Sequence, residues 1–344
     1  MSAGAALDPA VLLPYLANHV PGFRGPLAIE KFPTGQSNPT YRLDAGSGSY
    51  VLRAKPPGTL LKSAHQVDRE FRVMAALARQ GFPVPDVLHL AGEDSPLGRM
   101  FYVMAHVEGR IFWDPALPEA TGPSERAALY DAMNATLAAL HAVDPQAAGL
   151  ADFGRPGNYF ARQFGRWSSQ YRASETGRVA DMDRLIAWLE TALPPDDGQV
   201  ALVHGDYRLD NMIFAADRPV VVAVLDWELS TLGHPVADLA YQCMQWRLPH
   251  RSFFRGLDGV DRTALGLPSE TDYVARYCAR RGLAGIGDWT FQLAFAFFRL
   301  AAICQGVYKR ALDGNASNPE KARHYGDAVS LLAERAARLI DGKG

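Results

Sequence analysis

Two short apolar runs in the second half of the chain each end in acidic or amide side chains, and this pattern constrains the fold most. Residues 200–203 lead into the loop His204-Gly205-Asp206-Tyr207-Arg208-Leu209-Asp210-Asn211, and residues 219–225 are followed by Asp226. Short apolar runs bounded by turn residues predict buried strands. Oxygen donors that follow such strands are well placed to bind a hard cation, and magnesium prefers these ligands. We therefore expect catalytic or metal-binding side chains at the ends of two strands.

The first loop has the spacing H-x-D-x-x-x-x-N, running from His204 through Asp206 to Asn211. The catalytic loop of kinases has the same spacing; its Asp accepts the proton of the substrate hydroxyl and its Asn binds magnesium. Taken singly, each residue has a simpler interpretation: a packed histidine, two turn residues and, at Asp226, a helix cap. Two strand ends that carry carboxylates at this spacing together favour phosphoryl transfer.

The first hundred residues predict a mixture of strands and helix. Residues 41–43 and 49–53 predict a hairpin around the Gly-rich turn 45–48, and residues 100–107 predict another strand. A helix is predicted to begin at Ser63, with a capping box to Gln66, and to end before Gly81. Glu70 lies near the apolar stripe of this helix, where a carboxylate needs a cationic partner.

After residue 108 the pattern becomes mainly helical. A helix capped by Ser124 is predicted first, and further helices are predicted near 159–172, 180–192, 271–281 and 288–312. Residues 291–304 are the most apolar stretch, but Gln292 and Arg299 interrupt it and it is shorter than a membrane span, so it predicts a buried helix. The change near residue 108 predicts two lobes with a ligand-binding cleft.

Composition limits the classes of partner and the cellular compartment. The formal net charge of −2 argues against nucleic acid or an anionic membrane as the main partner. Cys243, Cys278 and Cys304 are far apart, so they predict reduced, buried thiols instead of a zinc site or a disulfide framework. The first residues lack the pattern of a signal peptide, so we expect a cytoplasmic location. The oligomeric state is left open.

Several segments resemble the aminoglycoside-phosphotransferase and choline-kinase-like family along about residues 32–277. They are HGDYRLDN and VLDWELSTLGHPVADLAY, together with GQSNPTYRL, YVLRAKPPG, SAH and REFRV, which resemble a subgroup with domains fused to acyl-CoA dehydrogenases. The resemblance implies an α+β, bilobal protein-kinase-like fold. Residues 1–107 would form a small, β-rich nucleotide-binding lobe with one key helix. Residues 108–344 would form a larger, mainly helical lobe for catalysis and acceptor binding.

The resemblance implies roles for the loop residues by position. Asp206 would be the catalytic base and His204 would support the loop. Arg208 would be a cation near the transferred phosphate, with a solvated surface arginine as the alternative. Asn211 and Asp226 would bind Mg2+. ATP would be the phosphate donor.

Asp238 matches a position that we interpret as structural, fastening the loop through hydrogen bonds.

The resemblance also implies a nucleotide site in the first lobe. The residues concerned are Gly35, Ser37, Asn38, Thr40, Arg53, Lys55, Glu70, Met104, Ala105 and Val107. Arg53 stands where the family has a lysine, and Lys55 on the same strand face could share or take over its role. Either cation could be the partner of Glu70; an ordinary buried ion pair is the alternative for Arg53 and Glu70. The main chain of Ala105 and Val107 would contact the adenine edge.

The acceptor is predicted from two segments, 158–172 and 245–251, in which arginines alternate with aromatic side chains. Such a surface suits an anionic or nucleotide-bearing acceptor, and a solvated helix face over core aromatics is the alternative. Together with the acyl-CoA dehydrogenase link, it favours a hydroxyacyl-CoA over an amino alcohol, a sugar or an aminoglycoside.

Two other classes of function stay open. A nucleotide-binding pseudokinase scaffold is kept open by the arginine at position 53. A metal-dependent hydrolase fits less well, because the chain has no His-rich ligand set.

Overall fold

The structure is a computed structural model that describes residues 7–33, 38–57, 65–314 and 319–343, with only the main chain described for 319–323. These residues belong to two units. The first lies within Met1–Arg110, Gln146–Leu150 and Asn211–Ser230, and the second within Ile111–Pro145, Ala151–Asp210 and Thr231–Gly344. Packing thus divides the chain at more points than the single predicted domain boundary after residue 107, which stays a prediction.

A five-stranded antiparallel sheet forms the first unit's framework, in the order β1-β2-β3-β5-β4. Its strands are β1 (Leu27–Lys31), β2 (Thr40–Ala45), β3 (Gly48–Ala54), β4 (Val87–Ala91) and β5 (Phe101–Ala105). The predicted hairpin is confirmed as β2 and β3, and the strand predicted at 100–107 is β5. The sequence did not predict β1 or β4.

Two α-helices of the described residues belong to this sheet unit: the key helix that the sequence predicted, and an earlier one that it did not predict. Helix α1 (Pro9–His19) begins where the Asp8 carboxylate accepts a hydrogen bond from the Ala10 N–H at 2.8 Å. Its Leu12 and Leu16 are buried in one cluster with sheet residues. The second helix, α2 (Val67–Arg79), carries Glu70.

Helix α2 begins later than the sequence predicted. Its N-cap is Gln66, without a side-chain capping bond, so the predicted capping box is wrong; Ser63 lies outside the described residues. His65 has a positive φ of 59°, which is incompatible with a continuous right-handed helix through that position. At the other end, Gly81 has a φ of 72°, as predicted for a residue just past a helix.

The first unit also contains a later hairpin, β7 (Met212–Phe214) with β8 (Val221–Val224). Its main chain is tied to the rest of the unit, because the Val224 N–H donates to the Pro83 carbonyl at 2.9 Å. The Trp227 side chain is buried, lies against Phe82 and donates to the Val224 carbonyl at 2.9 Å. The strand predicted at 219–225 is confirmed as β8.

Helices dominate the second unit. They are α3 (Pro123–Ala142), α4 (Tyr159–Ser174), α5 (Ala180–Ala192), α6 (Val236–Cys243), α7 (Arg262–Leu265), α8 (Glu270–Arg281), α9 (Trp289–Leu312) and α10 (Pro319–Ile340). A small antiparallel pair joins β6 (Ala201–Val203) to β9 (Thr231–Gly233). The four later helices predicted from periodicity are confirmed as α4, α5, α8 and α9. Ser124, the predicted cap of α3, lies inside that helix, which begins after Gly122.

Helix α9 is the centre of the second unit and packs against α4, α5, α6 and α10. By length and composition it is the one helix in the described residues that could cross a membrane, being 24 residues long, yet 83% of its most apolar window is buried inside the protein. The predicted buried helix is therefore confirmed, although it is longer than the sequence indicated. The three cysteines are free and buried, as predicted.

Candidate active site

The loop after β6 is held by a carboxylate from helix α6. The main-chain N–H groups of His204 and Gly205 donate to the two oxygens of Asp238, at 2.6 and 2.9 Å. Asp238 is buried, and His141 Nε2 lies 3.3 Å from its Oδ2. Burial acts to raise the pKa of Asp238, but His141, His204 and the Gly205 N–H outweigh it and lower that pKa. The predicted structural role of Asp238 is confirmed.

Asp206 points its carboxylate at two donors of the same unit. The Tyr241 hydroxyl donates to Oδ1 at 2.6 Å, and Arg208 Nε lies 3.3 Å from the same oxygen. The Asp206 N–H donates to His204 Nδ1 at 3.1 Å. Burial acts to raise the pKa of Asp206, but Arg208 and Tyr241, followed by His204 and Arg299, lower it below its usual value.

Arg208 links two acidic residues of the loop. Besides its contact with Asp206, its Nη2 donates to Asp210 Oδ2 at 2.7 Å. The side chain is 28% exposed, so it is neither a buried core residue nor a fully solvated one. Its predicted position near the transferred phosphate stays a prediction.

In the first unit, the β7–β8 hairpin brings the two predicted magnesium ligands to neighbouring positions. The Leu225 N–H donates to the Asn211 carbonyl at 2.8 Å, and Asp226 follows Leu225 directly. Asp226 has a positive φ of 65°, a left-handed conformation that is uncommon for residues other than glycine but is adopted comparatively often by aspartate and asparagine. Its side chain is 34% exposed, so the carboxylate can reach solvent and ligands.

The side-chain types of Asn211 and Asp226 fit the oxygen ligands that Mg2+ prefers. No group of three or more His, Cys, Asp or Glu side chains suited to a metal occurs among the described residues. Magnesium does not require one, because in nucleotide sites it is held by one or two protein oxygens together with phosphates and water. One carboxylate and one side-chain amide at neighbouring positions match that donor set.

Arg53 on β3 contacts three carboxylates of the first unit. Its Nε lies 2.9 Å from Glu70 Oε2, and its Nη2 lies 2.7 Å from Asp226 Oδ1 and 3.4 Å from Glu228 Oε2. Glu70 is 1% exposed, and a buried carboxylate needs a cationic partner. The contact at 2.9 Å identifies Arg53 as that partner. Burial acts to lower the pKa of Arg53, but the carboxylates outweigh it, and the arginine stays charged.

Glu70 is held by two further donors. The Tyr102 hydroxyl donates to Oε2 at 3.1 Å and Asn38 Nδ2 donates to Oε1 at 2.8 Å. Burial raises the pKa of Glu70 to about 6, and Arg53 limits that rise. Asn38 Oδ1 lies 2.9 Å from His65 Nδ1. The buried Asn38 side chain therefore connects His65, just before α2, to the Glu70 carboxylate.

Lys55 pairs with another carboxylate than Glu70, and its predicted contact with the phosphates stays a prediction. Its Nζ lies 3.0 Å from Glu93 Oε1, and the Glu93 side chain is 69% exposed. The choice left open between the two cations is thus resolved for Glu70, because the buried carboxylate is paired with the arginine.

The other predicted nucleotide residues are placed only in part. Gly35 and Ser37 lie outside the described residues. The Thr40 hydroxyl donates to the Asn38 carbonyl at 3.1 Å at the start of β2. Nucleotide binding by this turn stays a prediction.

The expected adenine-binding segment is at the end of β5. Met104 is buried, and Val107 follows the strand by two residues. The Ala105 N–H donates to the Asp86 carbonyl at 2.8 Å. An adenine contact by Ala105 and Val107 therefore cannot use that N–H without breaking an existing bond.

The predicted acceptor surface on α4 is wrong in its aromatic part. Trp167 and Tyr171 are 5% and 0% exposed, so both belong to the core of the second unit. Arg162 donates to the carbonyls of Arg155 and Pro156. The apolar stripe of the helix faces the protein, and the exposed face carries small and polar residues together with Arg166 and Arg172, which agrees with the alternative of a solvated face over core aromatics.

In the second predicted acceptor segment, residues 245–251, the aromatic side chain is also buried. Trp246 is 3% exposed and its Nε1 donates to the Pro268 carbonyl at 2.9 Å. Arg247 forms a two-pronged contact with Glu270, at 3.0 and 2.9 Å, so its charge is already matched. A tryptophan followed by arginine suggested a recognition surface, but the Trp246 side chain is buried and the Arg247 side chain is paired with Glu270.

A small cavity of the second unit lies beside the two side chains that contact Asp206. It is lined by Arg208, Tyr241, Met244, Gln245, Leu248, Phe254 and Leu300. Its volume of about 10 Å³ leaves room for about one water molecule, so it is not by itself an acceptor site.

Two residues near Asp206 were missed by the sequence analysis. Tyr241 lies three residues after Asp238, which places both on one face of α6, so the spacing could have predicted it. Arg299 was noticed only as an interruption of an apolar helix. It is 8% exposed, and a buried arginine always requires a compensating environment.

Comparisons with known proteins identify relatives along nearly the whole chain. The model of the phosphotransferase enzyme family matches residues 28–268. Acyl-CoA dehydrogenase family member 10 of Mus musculus is 49% identical over 313 residues, which cover 91% of this chain and 29% of the mouse protein. The chain spans less than half of the length of the curated relatives it matches.

Solved structures agree with this assignment. A Ralstonia eutropha protein, provisionally named an aminoglycoside phosphotransferase, is 46% identical with a TM-score of 0.87, covering 98% of this chain and 99% of that one. A spectinomycin phosphotransferase in complex with ADP and spectinomycin has a TM-score of 0.64, covering 96% of this chain and 100% of that one. It is 12% identical, so this likeness shows the fold alone. The predicted α+β kinase-like fold is confirmed.

Proposed function

Because this chain belongs to the phosphotransferase enzyme family, we propose that it transfers the terminal phosphate of ATP to a hydroxyl group of a small molecule. The observation that carries this proposal is the organisation of the loop at 204–211. It presents Asp206 to ordered donors and ends at Asn211, whose main chain is bonded next to Asp226. That is the residue set that phosphoryl transfer needs.

Asp206 would act as the base that orients the acceptor hydroxyl and receives its proton. Its lowered pKa keeps it ionised at neutral pH, as an acceptor of a proton must be. The hydroxyl oxygen would form a bond to the terminal phosphorus while the bond from phosphorus to the bridging oxygen of ADP breaks. The products are a phosphate monoester and ADP.

Asp226 and Asn211 would hold Mg2+, which when bound neutralises charge on the triphosphate. Arg53 lies 2.7 Å from Asp226 and can therefore place positive charge at the same end of the hairpin. Its role would be to keep Asp226 and Glu70 in position and to balance phosphate charge.

For the acceptor we propose a hydroxyacyl-CoA. Support comes from the relatives, whose names are those of acyl-CoA dehydrogenase family members, although this chain spans only part of their length. The segments on α4 and after α6 lend no support, since their aromatic side chains are buried.

The test is a coupled ADP-release assay with Mg2+ and ATP. It should compare hydroxyacyl-CoAs, the free hydroxy acids, choline, sugars and aminoglycosides. We expect acceptor-dependent ADP with a hydroxyacyl-CoA and a new phosphate ester in the mass spectrum. ADP release with another class alone would retain the phosphotransferase and replace the acceptor. ATP binding without ADP from any acceptor would favour the pseudokinase alternative instead.

A further inference from the structure

We infer that Tyr241 is a positioning residue for Asp206, and that Arg299 and Trp167 hold the Tyr241 ring in place. The inference rests on the proposed function, in which Asp206 is the base. The motif at 204–211 contains none of these three residues. They come from α6, α9 and α4, three helices of the second unit.

Helix α6 fixes the loop at two points. Asp238 binds the main chain of His204 and Gly205, and one turn later the Tyr241 hydroxyl donates to Asp206 Oδ1 at 2.6 Å. The first contact sets the path of the backbone, and the second sets the rotation of the carboxylate. A base must be held in its productive orientation to act efficiently, so the second contact has a direct consequence for the proposed reaction.

The Tyr241 ring is itself fixed by a buried stack. The Arg299 guanidinium lies 5.7 Å from the centre of the Tyr241 ring and 5.8 Å from that of Trp167. Trp167 is anchored in turn, because its Nε1 donates to Gln163 Oε1 at 2.9 Å. Arg299 is 8% exposed, and no carboxylate of the described residues forms an ion pair with it. Cation–π contact with two rings explains how this charge is accommodated in the core.

The charge of Arg299 also acts on Asp206. The groups that face Asp206 are His204 and Arg208 from its own loop, Tyr241 from α6 and Arg299 from α9. All four favour the ionised carboxylate. Loss of the Tyr241 hydroxyl removes one of them, so the pKa of Asp206 should rise toward its ordinary value. As the pH is lowered, the variant would then lose activity that needs ionised Asp206 at a higher pH than wild type does.

The experiment compares Tyr241→Phe with wild type and with Tyr130→Phe. Tyr130 is a matched control, because its buried hydroxyl donates to the Pro115 carbonyl at 2.7 Å. For Tyr241→Phe we expect a kcat about 10-fold lower, since a hydrogen bond to a charged group is lost, while the KM for ATP stays within about twofold. The acid limb of its pH–rate profile should move to higher pH. Tyr130→Phe should keep the wild-type profile.

A second variant and a second readout separate this inference from the proposed function. Arg299→Met should shift the same acid limb upward, and Arg299→Lys should partly restore it. Titration of the 13C-labelled carboxyl of Asp206 by NMR, assigned with Asp206→Asn, reports its pKa without any acceptor. If wild type releases no ADP but the carboxyl titrates at higher pH in Tyr241→Phe, the proposed function fails and the contact stands. An unchanged titration in Tyr241→Phe, or an equal loss of kcat in Tyr130→Phe, would overturn the inference.

Discussion

The acidic residues around Arg53 and those around Asp206 are kept in place by different means. In the first unit, Glu70, Asp226 and Glu228 all lie within 3.4 Å of a single guanidinium. In the second unit, Asp238 accepts main-chain N–H bonds and Asp206 accepts a tyrosine hydroxyl. In the first set one guanidinium serves all three carboxylates, whereas in the second set each carboxylate has its own donors, main-chain N–H groups for Asp238 and a tyrosine hydroxyl with Arg208 for Asp206.

The difference has a functional meaning. A carboxylate that is paired with a side-chain cation, as Asp226 is, can exchange that partner for a metal ion, whereas one held by a helix and its loop keeps its orientation. The first arrangement suits residues that receive a metal–nucleotide complex. The second suits a base, for which preorganisation is the main requirement.

The largest effect should come from the base. Asp206→Asn keeps the hydrogen-bond acceptor but cannot accept a proton, so kcat should fall by about 10²–10⁴, or about 3–5 kcal/mol of transition-state stabilisation. Steady-state kinetics with the acceptor found in the ADP-release assay would measure this. Turnover within a few-fold of wild type would remove Asp206 from the mechanism.

The next effect should appear in stability, in the unit where one guanidinium serves three carboxylates. Arg53→Met leaves Glu70 buried without its cation, and breaking a buried ion pair costs about 3–5 kcal/mol. Urea unfolding at several pH values would measure the loss. Glu70 has a raised pKa of about 6, so its ionised form is the disfavoured one in the folded protein. The loss should therefore be smaller below that pH, where Glu70 is protonated, than above it.

The control for this prediction is the double variant Arg53→Met/Glu70→Gln. It removes both charges and keeps a side chain that can accept from Tyr102 or Asn38. Its stability should exceed that of Arg53→Met alone at neutral pH. A double variant that is as unstable as the single one would show that the arginine matters through packing and not through charge.

A smaller effect is expected for Asp238→Asn. Asparagine keeps one oxygen, but its amide nitrogen cannot accept, so one of the two main-chain N–H groups would lose its acceptor at a cost of about 1–3 kcal/mol. Thermal unfolding would measure the stability, and the kcat should fall as well because the loop carries Asp206. Wild-type stability together with wild-type kcat would contradict the role that the structure gives to Asp238.

The sequence predicted local features well and tertiary choices poorly. The loop at 204–211, the strand before Asp226 and the helices α4, α5, α8 and α9 follow from periodicity and spacing, which are properties of neighbouring residues. The choice of Arg53 over Lys55 as the partner of Glu70 depends on where the chain turns after β3, and no local pattern encodes that.

The aromatic side chains illustrate the same limit. Trp167 and Trp246 alternate with arginines in the sequence, and both are buried. A single helix face that combines aromatic and cationic residues can pack inward or outward, and the decision depends on what covers it. Here α9 covers α4. Arg299, which interrupts the apolar run of α9, was the signal that a polar contact lay inside this unit.

The most direct test of the account is calorimetric titration of ATP, with and without Mg2+, into wild type, Asp226→Ala and Asp206→Asn. We predict that Asp206→Asn binds the magnesium complex as wild type does, whereas Asp226→Ala loses the gain in affinity that Mg2+ provides. An Asp226→Ala protein that keeps its magnesium-dependent binding, beside an Asp206→Asn protein that loses it, would contradict the division of roles between the two groups of acids.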